Sequence, residues 1–228
     1  MQNNIFINKD EVMRYLGYSN QRVEDSFYTL IDKVIGEVKE NLNISFVYKI
    51  DRLTMEDGIL KLAEDGMCIK SQELCKHLQA CQRCVIMAIT IGHSIDRKIS
   101  YYEKFDVTKA MVFNACANVA VETAADNLCG DIEETLEGYH LTSRFSPGYG
   151  DFSLDYQKEI LELLGSIRKA GISVSSGNML MPCKSVTAIA GITKEVAVNN
   201  YNKCDNCLNR KKCQFRRAGD QCGSKREA

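Results

Sequence analysis

The sequence predicts an α+β fold: a mixed or antiparallel twisted sheet with several helices, followed by a Cys-rich C-terminal tail. Three observations carry this. Stretches of helical period and stretches of strand period are interspersed without the regular βαβ alternation of a doubly wound sheet. No glycine-rich phosphate loop opens a helix after a strand. From about Asn200, apolar periodicity stops and Cys and basic residues dominate, which divides the chain into residues 1–199 and a tail of 200–228.

The elements follow in order. Asn8, with Glu11 three residues on, reads as a helix cap, and Gly17 as that helix's stop. A longer helix is expected after Ser19 or Asn20, because Val23, Phe27, Leu30, Ile31, Val34, Ile35 and Val38 recur at helical spacing. Residues 44–51 alternate as a strand, with Phe46, Tyr48 and Ile50 on one face. Short strands are expected at 58–62 and 66–69 around the Asp65-Gly66 turn. Ser71 caps a helix to about Gln79, and the apolar run from Val85 to Ile91 reads as a buried strand. Thr108 to Leu128 is a long Ala-rich helix, and a second helix is expected at 131–138. Ser153 is expected to cap an amphipathic helix through Leu154, Ile160, Leu161, Leu164 and Ile167, stopped by Gly171. Residues 171–175 and 184–192 read as strands.

At 228 residues and 45% hydrophobic, the chain can bury a proper core. A net charge of −1 supplies no bulk field toward nucleic acid. No apolar run is long enough for a membrane span, and the N-terminal residues lack a signal-peptide pattern, so a cytoplasmic protein is expected. In that compartment eleven cysteines argue for buried thiols and metal ligands rather than a disulfide framework. Cys75, Cys81 and Cys84 read as packing residues, and Cys183 as a free thiol. His77, His93 and His140 are scattered and read as surface or capping residues rather than bases.

Arg144-Phe-Ser-Pro-Gly-Tyr-Gly-Asp151 is the most informative stretch. Pro147-Gly148 marks a turn, since Pro fixes φ and Gly permits positive φ. A planar cation, an aromatic ring and a carboxylate around one turn suit a zwitterionic ligand. Asp151 is read instead as the start of the next helix. Downstream, Met179-Leu-Met-Pro-Cys-Lys-Ser-Val-Thr-Ala-Ile-Ala-Gly191 has the form of an apolar stretch broken by Pro182 and then a strand of small residues.

These two segments, in this order and with a helix between them, resemble the activation domain of vitamin B12-dependent methionine synthase. Glu11-Val-Met-Arg-Tyr-Leu-Gly-Tyr18 and Ile89-Thr-Ile-Gly92 are similar to stand-alone members of that family, so the resemblance spans about residues 8–195. It implies binding of S-adenosylmethionine and a part in reductive methylation of the cob(II)alamin form of a methionine synthase or related corrinoid protein. The cobalamin would sit on that partner, and a flavodoxin- or ferredoxin-type protein would donate the electron. By the family pattern Arg144 would take the ligand carboxylate. Ser146, Gly148, Tyr149 and Ser185 would line the site, and Glu122 or Asp126, four apart on the long helix, would take the ammonium or the ribose. Two departures stand out. Gly150-Asp151-Phe152 replaces Pro-Ala-Cys-Pro, and Ala188-Ile-Ala-Gly191 replaces a Gly-aromatic-aromatic run that would touch the ligand.

In the tail, Cys204, Cys207, Cys213 and Cys222 lie within nineteen residues, a spacing that suits zinc or an iron–sulfur cluster. The need for an electron favours the cluster. Two other readings use the same residues: an iron–sulfur electron-transfer protein that reduces a corrinoid protein without S-adenosylmethionine, and a docking protein with a structural zinc tail.

Overall fold

A computed structural model describes residues 5–194, apart from 19, 20, 22 and 65. The expected domain boundary near residue 200 and the four tail cysteines lie outside the described residues.

The element order is α1 (Lys9–Tyr15), α2 (Asp25–Glu40), β1 (Ser45–Glu56), β2 (Ile59–Leu62), β3 (Cys68–Lys70), α3 (Gln72–His77), β4 (Arg83–Thr90), α4 (His93–Phe105), α5 (Val107–Glu134), β5 (His140–Leu141), α6 (Tyr156–Leu164), α7 (Ser166–Ala170), β6 (Ser173–Val174), β7 (Leu180–Met181) and β8 (Ser185–Thr193). Six strands form one sheet in the order β3-β2-β1-β4-β8-β5, and every pair is antiparallel. β6 and β7 form a separate hairpin. The architecture is α+β, as the mixture of periods predicts.

β4 and β8 are central and their apolar runs are continuous because both faces of the sheet are covered. On one face Val85, Met87 and Ile89 of β4 and Ala188, Ala190 and Ile192 of β8 pack under α1, α2, α4 and α5. On the other, Cys84, Ile86, Ala88 and Ile189 meet α3, α6, α7, Phe145 and Phe152. α5 runs for 28 residues, about 42 Å at the helical rise. Its buried Ala115, Ala117, Ala120, Ala124 and Ala125 bring its backbone close to the sheet. Gly191 serves the same end on the opposite face: a Cβ there would lie 2.4 Å from Cys81 Sγ. Cys81 and Cys84 are buried and Cys75 packs against the same core, as the sequence suggests.

Several elements depart from expectation. α4 has no counterpart in the sequence reading. Its N-cap, Gly92, offers no side-chain oxygen, and only Ile95 and Tyr102 on it are buried. The separate helix expected at 131–138 is the end of α5, which continues through Gly130 to Glu134. The helix expected from Ser153 to Ile167 begins at Tyr156 and breaks at Gly165, whose φ of 62° is left-handed. The Ser153 hydroxyl accepts only from Asp155 N–H, in the turn before the helix. Asn8 and Ser71 cap α1 and α3 as read.

Candidate functional site

Residues 144–146 run extended along the outer edge of β8. Phe145 exchanges both backbone hydrogen bonds with Ile189, each 2.9 Å. Side chains alternate along extended chain, so Phe145 enters the lower core while Arg144 and Ser146 turn to the face covered by α5. Arg144 reaches α5, where Nη2 donates to Glu122 Oε2 at 2.8 Å and to Asp126 Oδ1 at 3.0 Å. The Arg144 side chain is 14% exposed, whereas Glu122 and Asp126 are 48% and 38% exposed. The fold thus brings together the three charged residues named from the sequence, and the guanidinium is the inner member.

Asn118, one turn before Glu122 on α5, accepts from Lys184 Nζ at 2.7 Å. Burial pulls the Lys184 ammonium below the ordinary lysine value, with Asp96 and Cys183 acting the other way. Positions 118, 122 and 126 therefore form a polar stripe that meets one cation from each of the two sequence segments. Cys183 is exposed, and its N–H donates to Asp96 Oδ2 at 2.7 Å.

The loop then turns. Gly148 adopts φ 94°, a conformation that a side chain resists. Its N–H donates to Phe152 O at 2.7 Å, and Tyr149 N–H to Ser146 O at 3.1 Å. Tyr149 stands edge-on to Phe145, ring centroids 5.9 Å apart, and is 46% exposed. The turn spans residues 147–151. Ile189 and Gly191 both aim their backbone groups outward, to Phe145 and Thr142. By the two-residue alternation of an antiparallel ladder, Thr187 and Ser185 aim theirs the same way. Ser185 Oγ itself donates to Pro182 O at 2.6 Å, and the Thr187 hydroxyl is spent on Gln157.

Asp151 requires a correction. It does not begin the following helix; it caps α3, about eighty residues earlier in the chain. Ser71 Oγ, Gln72 N–H and Glu73 N–H all donate to its carboxylate. Burial alone would raise its pKa, but these donors outweigh burial and hold it below the usual aspartate value. α3 also returns a contact to the loop. His77 Nε2 lies 2.7 Å from Ser143 O, and its ring sits 5.2 Å from that of Phe145. Sequence reading gave His77 as a surface or capping residue rather than a base, and nothing within its own neighbourhood could have linked it to a loop 66 residues away.

Ala188 and Ala190 are fully buried between sheet and α5, so the departure from a Gly-aromatic-aromatic run places small packing residues there. Two cavities, of about 380 and 400 Å³, lie elsewhere, around Tyr18 and Phe27 near the start of α5, and no residue of the Arg144 loop lines them. The candidate site is the partly exposed cluster of Arg144, Glu122 and Asp126 beside the edge of β8. Among the described residues no group of three or more His, Cys, Asp or Glu side chains could hold a metal ion. No helix among them is long and apolar enough to cross a membrane.

No protein-family model matches the chain, and no curated protein matches it in sequence. Among solved structures, it is similar to the crystal structure of the MetH reactivation domain bound to AdoHcy. The TM-score is 0.57 at 16% identity, over 75% of this chain and 67% of that one. The chain resembles that domain in fold.

Proposed function

We propose that the chain binds S-adenosylmethionine between α5, β8 and the 144–151 loop, and acts as the methyl-donor subunit in reductive reactivation of a corrinoid protein of the methionine synthase type. The observation that carries this reading is the Arg144–Glu122–Asp126 cluster beside the outer edge of β8, on a fold like that of a domain solved with AdoHcy.

The donor set suits the ligand. An amino-acid end carries one carboxylate and one ammonium. The carboxylate would pair with Arg144 and the ammonium would take over Glu122 or Asp126, so the internal ion pairs exchange for external ones of the same kind. The remaining α5 carboxylate would take the ribose hydroxyls. Ser146 and Gly148 would line the loop side of the site, Ser185 on the face of β8 away from α5 would take no direct part, and the Tyr149 ring offers a face for the sulfonium. When bound, the ligand supplies an electrophilic methyl group. The chain's own task is alignment and exclusion of water, which needs no acid–base pair.

The rim favours a docked partner. Tyr149, Leu154, Met179 and Met181 are all exposed by 45% or more. The hairpin and the loop are linked, since Asn178 Nδ2 donates to Asp155 Oδ1 at 2.9 Å and Leu154 packs at Gly148. Such a rim suits the flat, largely apolar face of a corrin held by the partner. The electron is assigned to a separate flavodoxin- or ferredoxin-type donor.

The test is to mix the chain with a cob(II)alamin-loaded corrinoid protein, a reductant and methyl-labelled S-adenosylmethionine. The proposal expects label on the corrinoid, dependent on the chain. Corrinoid reduction that needs the chain but not the methyl donor would instead establish the electron-transfer reading.

A further inference from the structure

We infer that His77 is a positioning residue for Arg144. This rests on the reading of the Arg144 cluster as the ligand site. His77 grips both neighbours of the arginine: Nε2 lies 2.7 Å from the Ser143 carbonyl, and the ring packs against Phe145. A carbonyl oxygen only accepts, so the hydrogen lies on Nε2. The Thr142 hydroxyl, 3.2 Å from the same nitrogen, bonds Gly191 N–H at 2.9 Å and so ties this corner to β8.

The backbone at Arg144 is therefore fixed from two sides. Ile189 holds Phe145 from the sheet, and His77 holds Ser143 from α3. α3 is itself pinned at its other end by Asp151, from the far side of the same loop. The six-residue helix thus braces both ends of the loop. The guanidinium can then cross to α5 without the backbone drifting under it. A shift of the carbonyl before Arg144 would swing the side chain off the Glu122 and Asp126 oxygens, which tolerate only a few tenths of an ångström.

Two variants in the full chain test this. His77→Leu removes the donor and keeps bulk. His77→Gln can return an N–H close to the Nε2 position. The first readout is nitrogen-15 spectra of the arginine side chains, with Arg144 assigned by its loss in Arg144→Lys. Wild type and His77→Gln should show slowly exchanging Arg144 Nη protons, and His77→Leu should lose that protection. The second is titration with S-adenosylhomocysteine. His77→Leu should weaken binding about five- to tenfold, the worth of one hydrogen bond's geometry, and His77→Gln should recover most of it. In an Arg144→Ala background His77→Leu should change affinity no further, because the two act as one unit.

Unchanged Arg144 protection in His77→Leu, or an equal loss of affinity with and without Arg144, would overturn the inference. If His77→Leu does not fold, His77→Phe, which keeps a ring against Phe145 and removes the donor, takes its place: lost Arg144 protection in that variant supports the inference, and unchanged protection overturns it. No binding by wild type, with Arg144 protection still dependent on His77, would refute the ligand reading and leave the positioning role standing.

Discussion

Glu37 on α2 ties α2, α4 and α5 together through Lys98, Tyr102 and Lys109, and its removal should destabilise the fold. Lys98 Nζ of α4 lies 2.7 Å from Oε1, Lys109 Nζ of α5 lies 2.8 Å from Oε2, and the Tyr102 hydroxyl donates to Oε1. Burial would raise the pKa, but the bonds from Lys109, Lys98 and Tyr102 outweigh it and bring the carboxyl from 4.5 down to about 2. That difference corresponds to about 3 kcal/mol of folding stability. Because the folded pKa is the lower one, this stability is fully present above about 4.5 and drains away as pH falls toward 2. The side chain is 19% exposed, so screening by water removes little. Urea unfolding of wild type and Glu37→Gln should therefore differ by about 2–4 kcal/mol at pH 7, the upper end including repulsion between the two freed ammoniums. At pH 3.5 the carboxylate's share should have fallen to about 2 kcal/mol. A gap that stayed constant between pH 7 and 3.5, or one below about 1 kcal/mol at pH 7, would refute the reasoning.

Asp151→Ala should destabilise the fold by about 1–2 kcal/mol in denaturant unfolding, since three donors at the start of α3 lose their acceptor. The Asp151 pKa lies below its ordinary value, so this loss should shrink as pH falls through the carboxylate range. Two glycines should respond with opposite signs in thermal unfolding. Gly191→Ala meets Cys81 at 2.4 Å and Leu78 at 2.9 Å and should cost about 1–3 kcal/mol, whereas Gly36→Ala, inside α2 with nothing within 4 Å, should gain about 0.5–1 kcal/mol. Among the described cysteines, brief alkylation followed by mass spectrometry should label Cys68 and Cys183. It should spare Cys84 and Cys116, whose thiols burial pushes up to about 12.

Periodicity made most of the architecture legible, because each central element buries a full face. The strand at 85–91 and the Ala-rich helix could be read for that reason. α4 could not, since two buried side chains and a glycine cap leave almost no local signal. A separate helix was expected at 131–138, yet α5 carries through Gly130, which has open space around it, to Glu134. The site divides in the same way. Arg144, Glu122 and Asp126 were named through the family resemblance, and one helix turn puts the two carboxylates on a shared face; their ion pairs with Arg144, 18 and 22 residues away, have no sequence signal. Asp151 was misread, and the contact of His77 with Ser143 went unforeseen, because each acts on a segment 66 or more residues distant, and a hydrogen bond across that separation has no sequence period.

The central claim is that Arg144 is the anchor of an S-adenosylmethionine site, and titration calorimetry on the full chain tests it most directly. Wild type should bind S-adenosylmethionine, and Arg144→Ala should weaken it by about 30- to 150-fold, the worth of a charge-assisted pair to a carboxylate. Equal affinity in the two proteins, or no heat of binding in wild type, would contradict the account.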